Sequence, residues 1–434
     1  MKKALILAYD FPPFYSVGGL RPYSWYKYFK KYEIFPIVLT RQWNNTHGNY
    51  LDYITSGQSD KTIFEESDTG TIIRTSYKPN FANRLLLKYG ENRFKLLRKT
   101  ISGYYEFAQW RLNIGPKKKL YFAAKQFMKN NKVDVIIATG EPFILFRYAS
   151  KLSNEYNIPW VADYRDDWID NHIRANNTDG FSKLLKFIDI KREKRYLSNC
   201  SGITSVSEIL TKQIAQRNNI NEFETIENGA DLDNYVKKNN PYNPNDFVIL
   251  YSGRFYDLPY LNDFIEGFEM FIKKIKYNKN IKIYFIGIEN QKNQAYFKVL
   301  EMLKIFPDYI VIENSKSPEE IAQYQLYANV LLNLIAGNPA KGMIGAKSYN
   351  YAVTKNPILT IPYIKERHSP FFPDRDIQTI ALSPTEVCDF LLMHFEYFRI
   401  NERKSSSLTA EESFELSREY NTKKFAEFLE NLVK

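Results

Sequence analysis

Three acids and one arginine stand together in the stretch "DYRDDW", which begins at Asp163. Arg165 lies between Asp163 and the neighbouring pair Asp166 and Asp167. Such a cluster at the end of an apolar segment is typical either of a polar active site or of a structural cluster of arginine–aspartate ion pairs. A metal site is the weaker interpretation, because His172 is the only nearby histidine that can complete a ligand set.

A pair of glycines follows the first apolar segment, in the stretch "AYDFPPFYSVGGLR". Gly18 and Gly19 stand where a helix is predicted to begin, and the N–H groups of a helix N-terminus attract an anion. The spacing is not the G-x-G-x-x-G of a dinucleotide site. The pair therefore predicts either an anion site or a tight turn without a ligand.

Two further groups of residues, in the second half of the chain, can bind phosphate. Gly253 and Arg254 end an apolar segment in "SGRF", and an arginine can hold a phosphate through two parallel hydrogen bonds. The stretch "AKGMIGAKSYNY" adds Lys341, Lys347 and the backbone N–H groups before a predicted helix. Together these residues predict a diphosphate site without a metal ion, although Arg254 alone can equally be a partner in a surface ion pair.

Short apolar segments alternate with segments of helical length, which is typical of parallel sheets covered by helices on both faces. The predicted strands of the first half are 3–9, 35–40, 133–140, 158–168, 201–207 and 224–231. Those of the second half are 247–253, 281–287, 309–315, 328–335 and 356–362. In open parallel sheets ligands bind beyond the carboxyl ends of the strands, which is where the polar groups described above stand.

The domain organisation follows from one stretch that breaks the alternation. Residues 236–246, "VKKNNPYNPND", are rich in Asn, Pro and Lys and show no apolar period, so they are the best candidate for a linker. The predicted domains are 1–236 and 247–410, and a last helix within 411–434 crosses back to pack on the first domain. We thus expect an α/β protein with two Rossmann-like, doubly wound domains that face a cleft.

The composition is ordinary for a globular protein, with 44% hydrophobic and 25% charged residues. Cys200 and Cys388 lie far apart and form neither a disulfide framework nor a metal motif. The apolar run after "MKK" is too short for a signal peptide, and no stretch reaches the roughly 18 apolar residues of a membrane span. We therefore expect a soluble or peripheral protein in the cytoplasm. Walker, serine-nucleophile and kinase motifs are absent.

The basic charge is concentrated in residues 77–132, which hold fourteen Lys or Arg and only two acids, Glu91 and Glu106. The formal net charge of the whole chain is +11, so the remainder is nearly neutral. Apolar residues between Leu85 and Leu97 alternate with basic ones, which is typical of a helix on an anionic membrane surface. The pattern also fits the solvated faces of ordinary helices. No nucleic-acid motif accompanies the charge, so nucleic acid is not an expected partner.

An ordered series of motifs extends over nearly the whole chain. They are "FPPFYSVGGLR", "PWVADYRDDW", "SGITSVSE", "IENGADLDNY", "ILYSGRFY" and "AKSYNYAVTKNPIL". In this series the chain resembles glycosyltransferase family 4, whose members have the GT-B fold. The resemblance implies a UDP- or GDP-sugar donor in the second domain and a saccharide or lipid-linked acceptor in the first. It also implies transfer without an obligatory metal ion or other cofactor, with retention at the anomeric carbon, in the synthesis of surface polysaccharides.

The resemblance also implies roles for particular residues. It implies that Asp166, with Arg165, positions the acceptor or stabilises charge at the strand end where many members have a catalytic histidine. The residues that it implies at the nucleotide-sugar donor are Gly18, Gly19, Gly253, Arg254, Lys347, Tyr349 and Asn350.

The chain departs from the family pattern at three places. Two family glutamates, eight positions apart, are replaced by Gly342 and Asn350, although an asparagine can still bond to a ribose hydroxyl. Pro259 stands where many members have a lysine, and the "DYRDDW" cluster replaces the histidine. These departures keep two alternatives open: a non-catalytic subunit of a polysaccharide-assembly complex, and a nucleotide-sugar epimerase or hydrolase of the same fold.

Overall fold

A computed structural model describes residues 1–14, 16–44, 50–169, 180–255, 260–288, 293–334, 345–361, 378–381 and 383–433. The chain forms two compact units. Unit 1 comprises Met1–Glu227 and Asn421–Lys434, and unit 2 comprises Asn228–Tyr420. Four residues from the sequence analysis, namely His172, Pro259, Lys341 and Gly342, lie outside the described residues.

Unit 1 contains an eight-stranded sheet with the order β3-β4-β2-β1-β5-β6-β7-β8. The strands are β1 (Lys2–Leu7), β2 (Ile34–Arg41), β3 (Ile63–Glu66), β4 (Thr71–Thr75), β5 (Val135–Gly140), β6 (Trp160–Tyr164), β7 (Gly202–Ser205) and β8 (Phe223–Thr225). Only the edge strand β3 pairs antiparallel, and every other neighbouring pair is parallel. The central strands β5 and β6 are buried throughout, as expected for a parallel sheet covered on both faces.

The helices of unit 1 connect these strands. They are α1 (Val17–Tyr28), α2 (Phe81–Tyr89), α3 (Lys95–Ala108), α4 (Lys118–Asn130), α5 (Ile144–Tyr156), α6 (Gly180–Leu197) and α7 (Glu208–Asn218). The basic segment 77–132 therefore folds as the three helices α2, α3 and α4, which lie in sequence between β4 and β5.

Unit 2 contains a six-stranded parallel sheet with the order β11-β10-β9-β12-β13-β14. Its strands are β9 (Phe247–Ser252), β10 (Ile281–Ile286), β11 (Ile310–Glu313), β12 (Val330–Leu334), β13 (Ile358–Ile361) and β14 (Gln378–Ile380). Its helices are α8 (Leu261–Lys274), α9 (Gln294–Ile305), α10 (Pro318–Tyr327), α11 (Ala346–Ala352), α12 (Pro384–Arg399) and α13 (Ala410–Glu415), and α14 (Arg418–Leu432) begins in this unit. The predicted α/β class with two parallel sheets is confirmed.

The division between the units falls before the predicted linker at 236–246. Ala230 donates its N–H to the carbonyl of Leu416 and accepts a hydrogen bond from the N–H of Arg418, at 2.9 and 2.8 Å. The hydroxyl of Tyr235 donates to Oε1 of Gln325 at 2.7 Å. These bonds hold residues 228–235 within unit 2, so the composition of 236–246 marks a loop of that unit.

The C-terminal segment is two helices rather than the single helix that the sequence predicts. Helix α13 begins with a capping box between Thr409 and Glu412 and ends at Glu415. Oγ of Ser417 then accepts the N–H of Tyr420 at 3.0 Å, at the start of α14. From residue 421 onward the chain belongs to unit 1.

The last helix contributes apolar side chains to the core of unit 1. Phe425 is fully buried, and its ring centroid lies 5.0 Å from that of Trp25 in α1 and 5.7 Å from that of Phe29, which directly follows α1. Oδ1 of Asn421 accepts the N–H of Glu227 at 3.1 Å. The final residues are thus part of the unit 1 core.

We expect Phe425→Ala to lower the free energy of unfolding of unit 1 by about 3–5 kcal/mol, because the truncation leaves a cavity beside Trp25. All five tryptophans of the chain lie in unit 1. Denaturant unfolding followed by tryptophan fluorescence therefore measures this unit selectively.

The matched control is Glu430→Ala, an exposed position on the same helix. It should leave the transition unchanged within about 0.5 kcal/mol. Equal midpoints for the two variants would contradict the contribution of α14 to the core.

Candidate functional site

The first turn of α1 follows the loop that leaves β1. Ser16 is the N-cap of this helix, and its Oγ and carbonyl oxygen both accept the N–H of Gly19 at 3.0 Å. Oγ of Ser16 also donates to Oδ2 of Asp10 at 3.0 Å. The N–H of Gly19 is therefore already used within the helix cap.

Both glycines of the pair are buried, and each lies close to a neighbouring group. A Cβ on Gly18 would lie 1.0 Å from Nη1 of Arg165. A Cβ on Gly19 would lie 3.2 Å from the backbone of Asp10 and Phe11. The pair thus lets the guanidinium of Arg165 lie against the first turn of α1 and lets that turn pack on the loop after β1.

Arg165 connects the carboxyl ends of β5 and β6. Its Nε donates to the carbonyl of Gly140 at 2.6 Å, and its Nη2 donates to that of Glu141 at 3.2 Å. The Gly140–Glu141 and Glu141–Pro142 peptide bonds are cis. Nη1 of Arg165 lies 4.0 Å from Oδ2 of Asp10. A cation is therefore fixed at the start of α1, and its side chain is partly accessible.

Asp163 belongs to a buried ion pair rather than to an open site. It is fully buried, and both of its oxygens accept from the guanidinium of Arg21, with a shortest distance of 2.6 Å. The hydroxyls of Thr139 and Thr204 donate to the same carboxylate, each at 2.8 Å. Nη1 of Arg21 donates to the carbonyl of Ile226 at 2.6 Å. The carboxylate thus joins α1 to the central strands.

Asp167 takes part in a second internal cluster. Nη2 of Arg217 donates to Oδ1 of Asp167 at 2.8 Å and to Oε1 of Glu193 at 2.9 Å. The hydroxyl of Tyr164 also donates to Glu193, at 3.0 Å. Burial raises the pKa of Glu193, and the neighbouring guanidinium of Arg217 opposes that shift.

Asp166 is the remaining acid of "DYRDDW". It is half-buried, and among the described residues it forms no hydrogen bond or ion pair. The structure therefore separates the three acids by environment, and Asp166 is the half-buried acid without a partner among the described residues.

Lys117 lies at the same edge of unit 1, and sequence reasoning counted it only as part of the basic segment. Its Nζ lies 5.9 Å from the ring centroid of Tyr9, which precedes Asp10. Burial lowers the pKa of Lys117, and the charges of Glu106, Glu141 and Asp10 oppose that shift. Only the fold reveals this proximity, because Lys117 and Tyr9 are far apart in the sequence.

The corresponding edge of unit 2 is formed by glycines at the ends of β9 and β10. Gly253 and Gly287 have φ angles of 105° and 83°, which favour glycine. A Cβ built on Gly287 would lie 3.6 Å from Cα of Gly253, so the two turns are neighbours. A Cβ on Gly253 would lie 3.5 Å from Cε of Lys347, so the lysine extends over the end of β9.

Lys347 is half-buried, and its ammonium lies 3.6 Å from the ring centroid of Tyr251. Among the described residues no carboxylate pairs with it, and no acceptor bonds to its Nζ. Burial lowers the pKa of Lys347 to about 7. An anion bound there would restore the charge of this side chain, because an opposite charge favours the protonated form.

The other predicted residues of unit 2 have different surroundings. The side chain of Arg254 is exposed directly after β9, and its carbonyl accepts the hydroxyl of Tyr251 at 3.0 Å. Asn350 is half-buried on α11. Tyr349 is fully buried in an apolar cluster that includes Val353. The structure thus brings Gly253, Arg254 and Lys347 to the end of β9 and places the ring of Tyr349 in the core.

A polar network below this edge was not predicted from the sequence. The hydroxyl of Tyr351 accepts the N–H of Ser252 at 3.1 Å, and Nε2 of Gln325 donates to Oγ of Ser252 at 3.0 Å. These buried bonds fix the last residue of β9 relative to α11, the helix that carries Lys347. In the described part of the chain, no three His, Cys, Asp or Glu side chains are grouped as metal ligands.

The basic segment carries many exposed apolar side chains on α2 and α3. Helix α3 has no buried residue along its 14 residues. Helix α4 is different, because Leu120, Ala124 and Met128 are buried against unit 1. Within the described ranges, no helix combines the length and apolarity needed to cross a bilayer.

We expect Asp163→Asn to lower the free energy of unfolding of unit 1 by about 3 kcal/mol or more, because it leaves the buried charge of Arg21 unpaired. Asp166→Asn serves as the matched control and should change it by no more than about 0.5 kcal/mol. Denaturant unfolding with tryptophan fluorescence measures both. A loss of stability in Asp166→Asn as large as that in Asp163→Asn would contradict the separation of the two acids.

Three solved structures are similar to this chain over almost its full length. Sucrose-phosphate synthase from Thermosynechococcus elongatus has a TM-score of 0.56 and 13% identity, and the match covers 100% of this chain and 96% of that one. Anabaena HepE in complex with UDP-glucose has a TM-score of 0.56 and 13% identity, covering 99% and 100%. A UDP-forming α,α-trehalose-phosphate synthase from Burkholderia xenovorans, in complex with glucose-6-phosphate, has a TM-score of 0.60 and 11% identity, covering 99% and 100%.

No family model and no curated protein sequence matches the chain. At 11–13% identity, the similarity to these three structures is one of fold. They are GT-B proteins, and the match covers 96–100% of each of them. The chain therefore has the GT-B fold.

Proposed function

We propose that this protein is a glycosyltransferase that moves a sugar from a nucleotide-sugar donor to a saccharide or lipid-linked acceptor. In this proposal unit 2 binds the donor and unit 1 binds the acceptor. The observation that carries the proposal is Lys347, a lysine without an anionic partner among the described residues, next to two glycine turns at the carboxyl ends of β9 and β10.

The edge that carries Lys347 has the properties of a diphosphate site. Gly253 and Gly287 leave the strand ends without side chains, so a phosphate can approach the backbone. The exposed guanidinium of Arg254 follows Gly253 directly and can hold a phosphate through two hydrogen bonds. Lys347 supplies a second cation.

The chemical contribution of these cations is electrostatic. When the bond between the anomeric carbon and the diphosphate breaks, negative charge develops on the diphosphate oxygens. Preorganised donors stabilise that charge more in the transition state than in the bound substrate, which accelerates the reaction. We assign this role to Arg254 and Lys347, and we assign the ribose contact to Asn350.

The acceptor side of the proposal rests on Asp166 and Arg165. Asp166 is half-buried and has no partner among the described residues, so its carboxylate can accept a hydrogen bond from an acceptor hydroxyl. The guanidinium of Arg165 is fixed by the carbonyls of Gly140 and Glu141, which makes it a rigid neighbour for that hydroxyl.

The structural similarity favours a UDP-sugar as the first donor to test. HepE is described in complex with UDP-glucose and with UDP and glucose, and the trehalose-phosphate synthase is UDP-forming. A contact of Gly18 and Gly19 with the donor diphosphate stays a prediction, as do retention of configuration, independence of metal ions and a cytoplasmic location. The role of Tyr349 in donor binding also stays a prediction.

We expect the binding of UDP at about pH 8 to take up most of one proton. Lys347 has a pKa of about 7, so at that pH it is largely neutral before binding. A bound diphosphate raises this pKa, whereas its own phosphates, with a pKa near 6, are already ionised. Titration calorimetry in two buffers of different ionisation enthalpy measures the proton uptake.

The variant Lys347→Gln should bind UDP more weakly and without proton uptake. The control is Lys304→Gln, which removes an exposed lysine of α9 in the same unit and should behave like the unchanged protein. Identical proton uptake in Lys347→Gln and in the unchanged protein would remove Lys347 from the site.

We expect Arg254→Ala to lower the release of UDP from UDP-glucose at least about tenfold, because it removes one donor to the leaving group. Asp166→Asn should also lower turnover but leave the affinity for UDP unchanged, because Asp166 belongs to unit 1. The assay uses a panel of saccharides that includes glucose and glucose-6-phosphate, and chromatography identifies the products.

The products separate the alternatives. A glycosylated acceptor supports the proposal, whereas free sugar or an epimerised donor without transfer supports a hydrolase or an epimerase. A folded protein that binds neither UDP, GDP nor any nucleotide sugar would be a non-catalytic subunit and would overturn the proposal. Full turnover in Arg254→Ala would overturn its assignment.

A further inference from the structure

Helix α3 carries an apolar face on which no residue is buried, although the guanidinium of Arg192 lies 5.4 Å from the ring centroid of Phe107 at its C-terminal end. None of its 14 residues is buried, although the helix is strongly amphipathic, as is typical of helices that pack on a surface. Leu96, Leu97, Tyr104 and Phe107 are exposed to 81%, 47%, 61% and 44%. With about 100° per residue these four positions fall on one side of the helix, together with Ile101.

The opposite side of α3 is basic and faces α2. A cavity of about 400 Å³ lies between the two helices and is lined on the α3 side by Lys95, Arg98, Lys99 and Ser102. Helix α3 therefore packs against α2 with its polar side, and its apolar side faces away from α2. A short helix gains most of its stability in water from burying an apolar face, so this face requires a partner.

The charge near α3 indicates what kind of partner fits. Lys95 and Lys99 have no ion-pair or hydrogen-bond partner among the described residues, and Arg98 donates to the carbonyls of Glu91 and Arg93. On the helix circumference, Arg98 and Lys99 stand at the two borders of the apolar face. An apolar face bordered by cations matches the boundary between acyl chains and anionic headgroups.

We propose that α3 lies flat on an anionic phospholipid bilayer. The side chains of Leu96, Leu97, Tyr104 and Phe107 enter the acyl-chain boundary, and the flanking cations remain at the level of the lipid phosphates. Helix α2 adds Arg84 and Lys88 to the cationic surface and exposes Phe81 and Leu87. The proposal is independent of the nucleotide-sugar site, because all of these residues belong to α2 and α3.

A solvated face, a nucleic-acid surface and a dimer interface each fit α3 less well than a bilayer does. A purely solvated face would carry polar side chains, whereas the exposed side of α3 carries two leucines and two aromatic rings. Nucleic acid would contact the cations but would leave the apolar face in water. A second copy of this chain could cover the apolar face but would bring cation clusters together.

Flotation of the full chain with phosphatidylcholine vesicles, with and without phosphatidylglycerol, tests the proposal. We expect binding only to the anionic vesicles at low salt. The double variant Leu96→Ser/Tyr104→Ser should bind them at least about tenfold more weakly. Its control is Phe297→Ser/Ile305→Ser on α9, which removes two apolar side chains of 53% and 67% exposure and should bind normally.

Charge is tested by a second pair of variants. Lys95→Gln/Lys99→Gln should weaken binding to the anionic vesicles at least about tenfold. Lys276→Gln/Lys304→Gln removes the same charge from exposed positions of unit 2 and should not weaken it. Circular dichroism checks that every variant keeps the helix content of the unchanged protein.

Three results would overturn the proposal. The first is equal binding to neutral and anionic vesicles, or to neither. The second is a loss of binding in Lys95→Gln/Lys99→Gln while Leu96→Ser/Tyr104→Ser still binds fully. This result would indicate a surface that binds any polyanion, and an oligonucleotide would then compete with the vesicles. The third is a dimer in light scattering that Leu96→Ser/Tyr104→Ser dissociates, which would assign the face to a second copy of this chain.

Discussion

The buried ion pair between Arg21 and Asp163 is the constraint on which unit 1 depends. Removing two charges from water costs several kcal/mol per ion, and only good geometry with complete hydrogen bonding compensates that cost. Here the carboxylate accepts from the guanidinium and from the hydroxyls of Thr139 and Thr204, and the guanidinium also reaches the carbonyl of Ile226. The pair therefore fixes α1, β5, β6 and β7 to one another at the edge where polar residues gather.

Two arginines, Arg21 and Arg217, decide which acids of "DYRDDW" are held in ion pairs. Asp163 is committed to Arg21, and Asp167 is committed to Arg217. Asp166 forms no ion pair among the described residues. The guanidinium of Arg165 donates to two carbonyl oxygens and lies against Gly18. The structural interpretation of the cluster therefore holds for Asp163 and Asp167, whereas a role of Asp166 in an active site stays a prediction.

The sequence was sufficient for most of the described strands because their apolar runs are local, but β3, β4 and β14 were not predicted. It was insufficient where contacts between residues far apart in the sequence determine the structure. The composition of 236–246 resembles a linker, yet unit 2 already begins at Asn228. The β-bridge between Ala230 and Ser417 pairs this segment with a distant part of the same unit. Likewise, nothing in the spacing of "DYRDDW" reveals that Arg21 and Arg217 select Asp163 and Asp167. The sequence left open whether the glycine pair forms an anion site or a tight turn, and it did not reveal that Arg165 lies against Gly18 and the Asp10 backbone against Gly19.

The surroundings of Lys347 differ from those of Arg21 and Arg165 in unit 1, and this difference is the strongest argument for a ligand in unit 2. In unit 1 the guanidinium of Arg21 is neutralised by a carboxylate and that of Arg165 is bonded to carbonyls. In unit 2 Lys347 meets the face of Tyr251, and no described carboxylate approaches it. Burial lowers the pKa of Lys347 to about 7, so this lysine loses its charge near neutral pH. Burying an unpaired lysine lowers the stability of the free protein. Under the proposed function, a bound diphosphate would restore the charge of Lys347, because an opposite charge favours the protonated form.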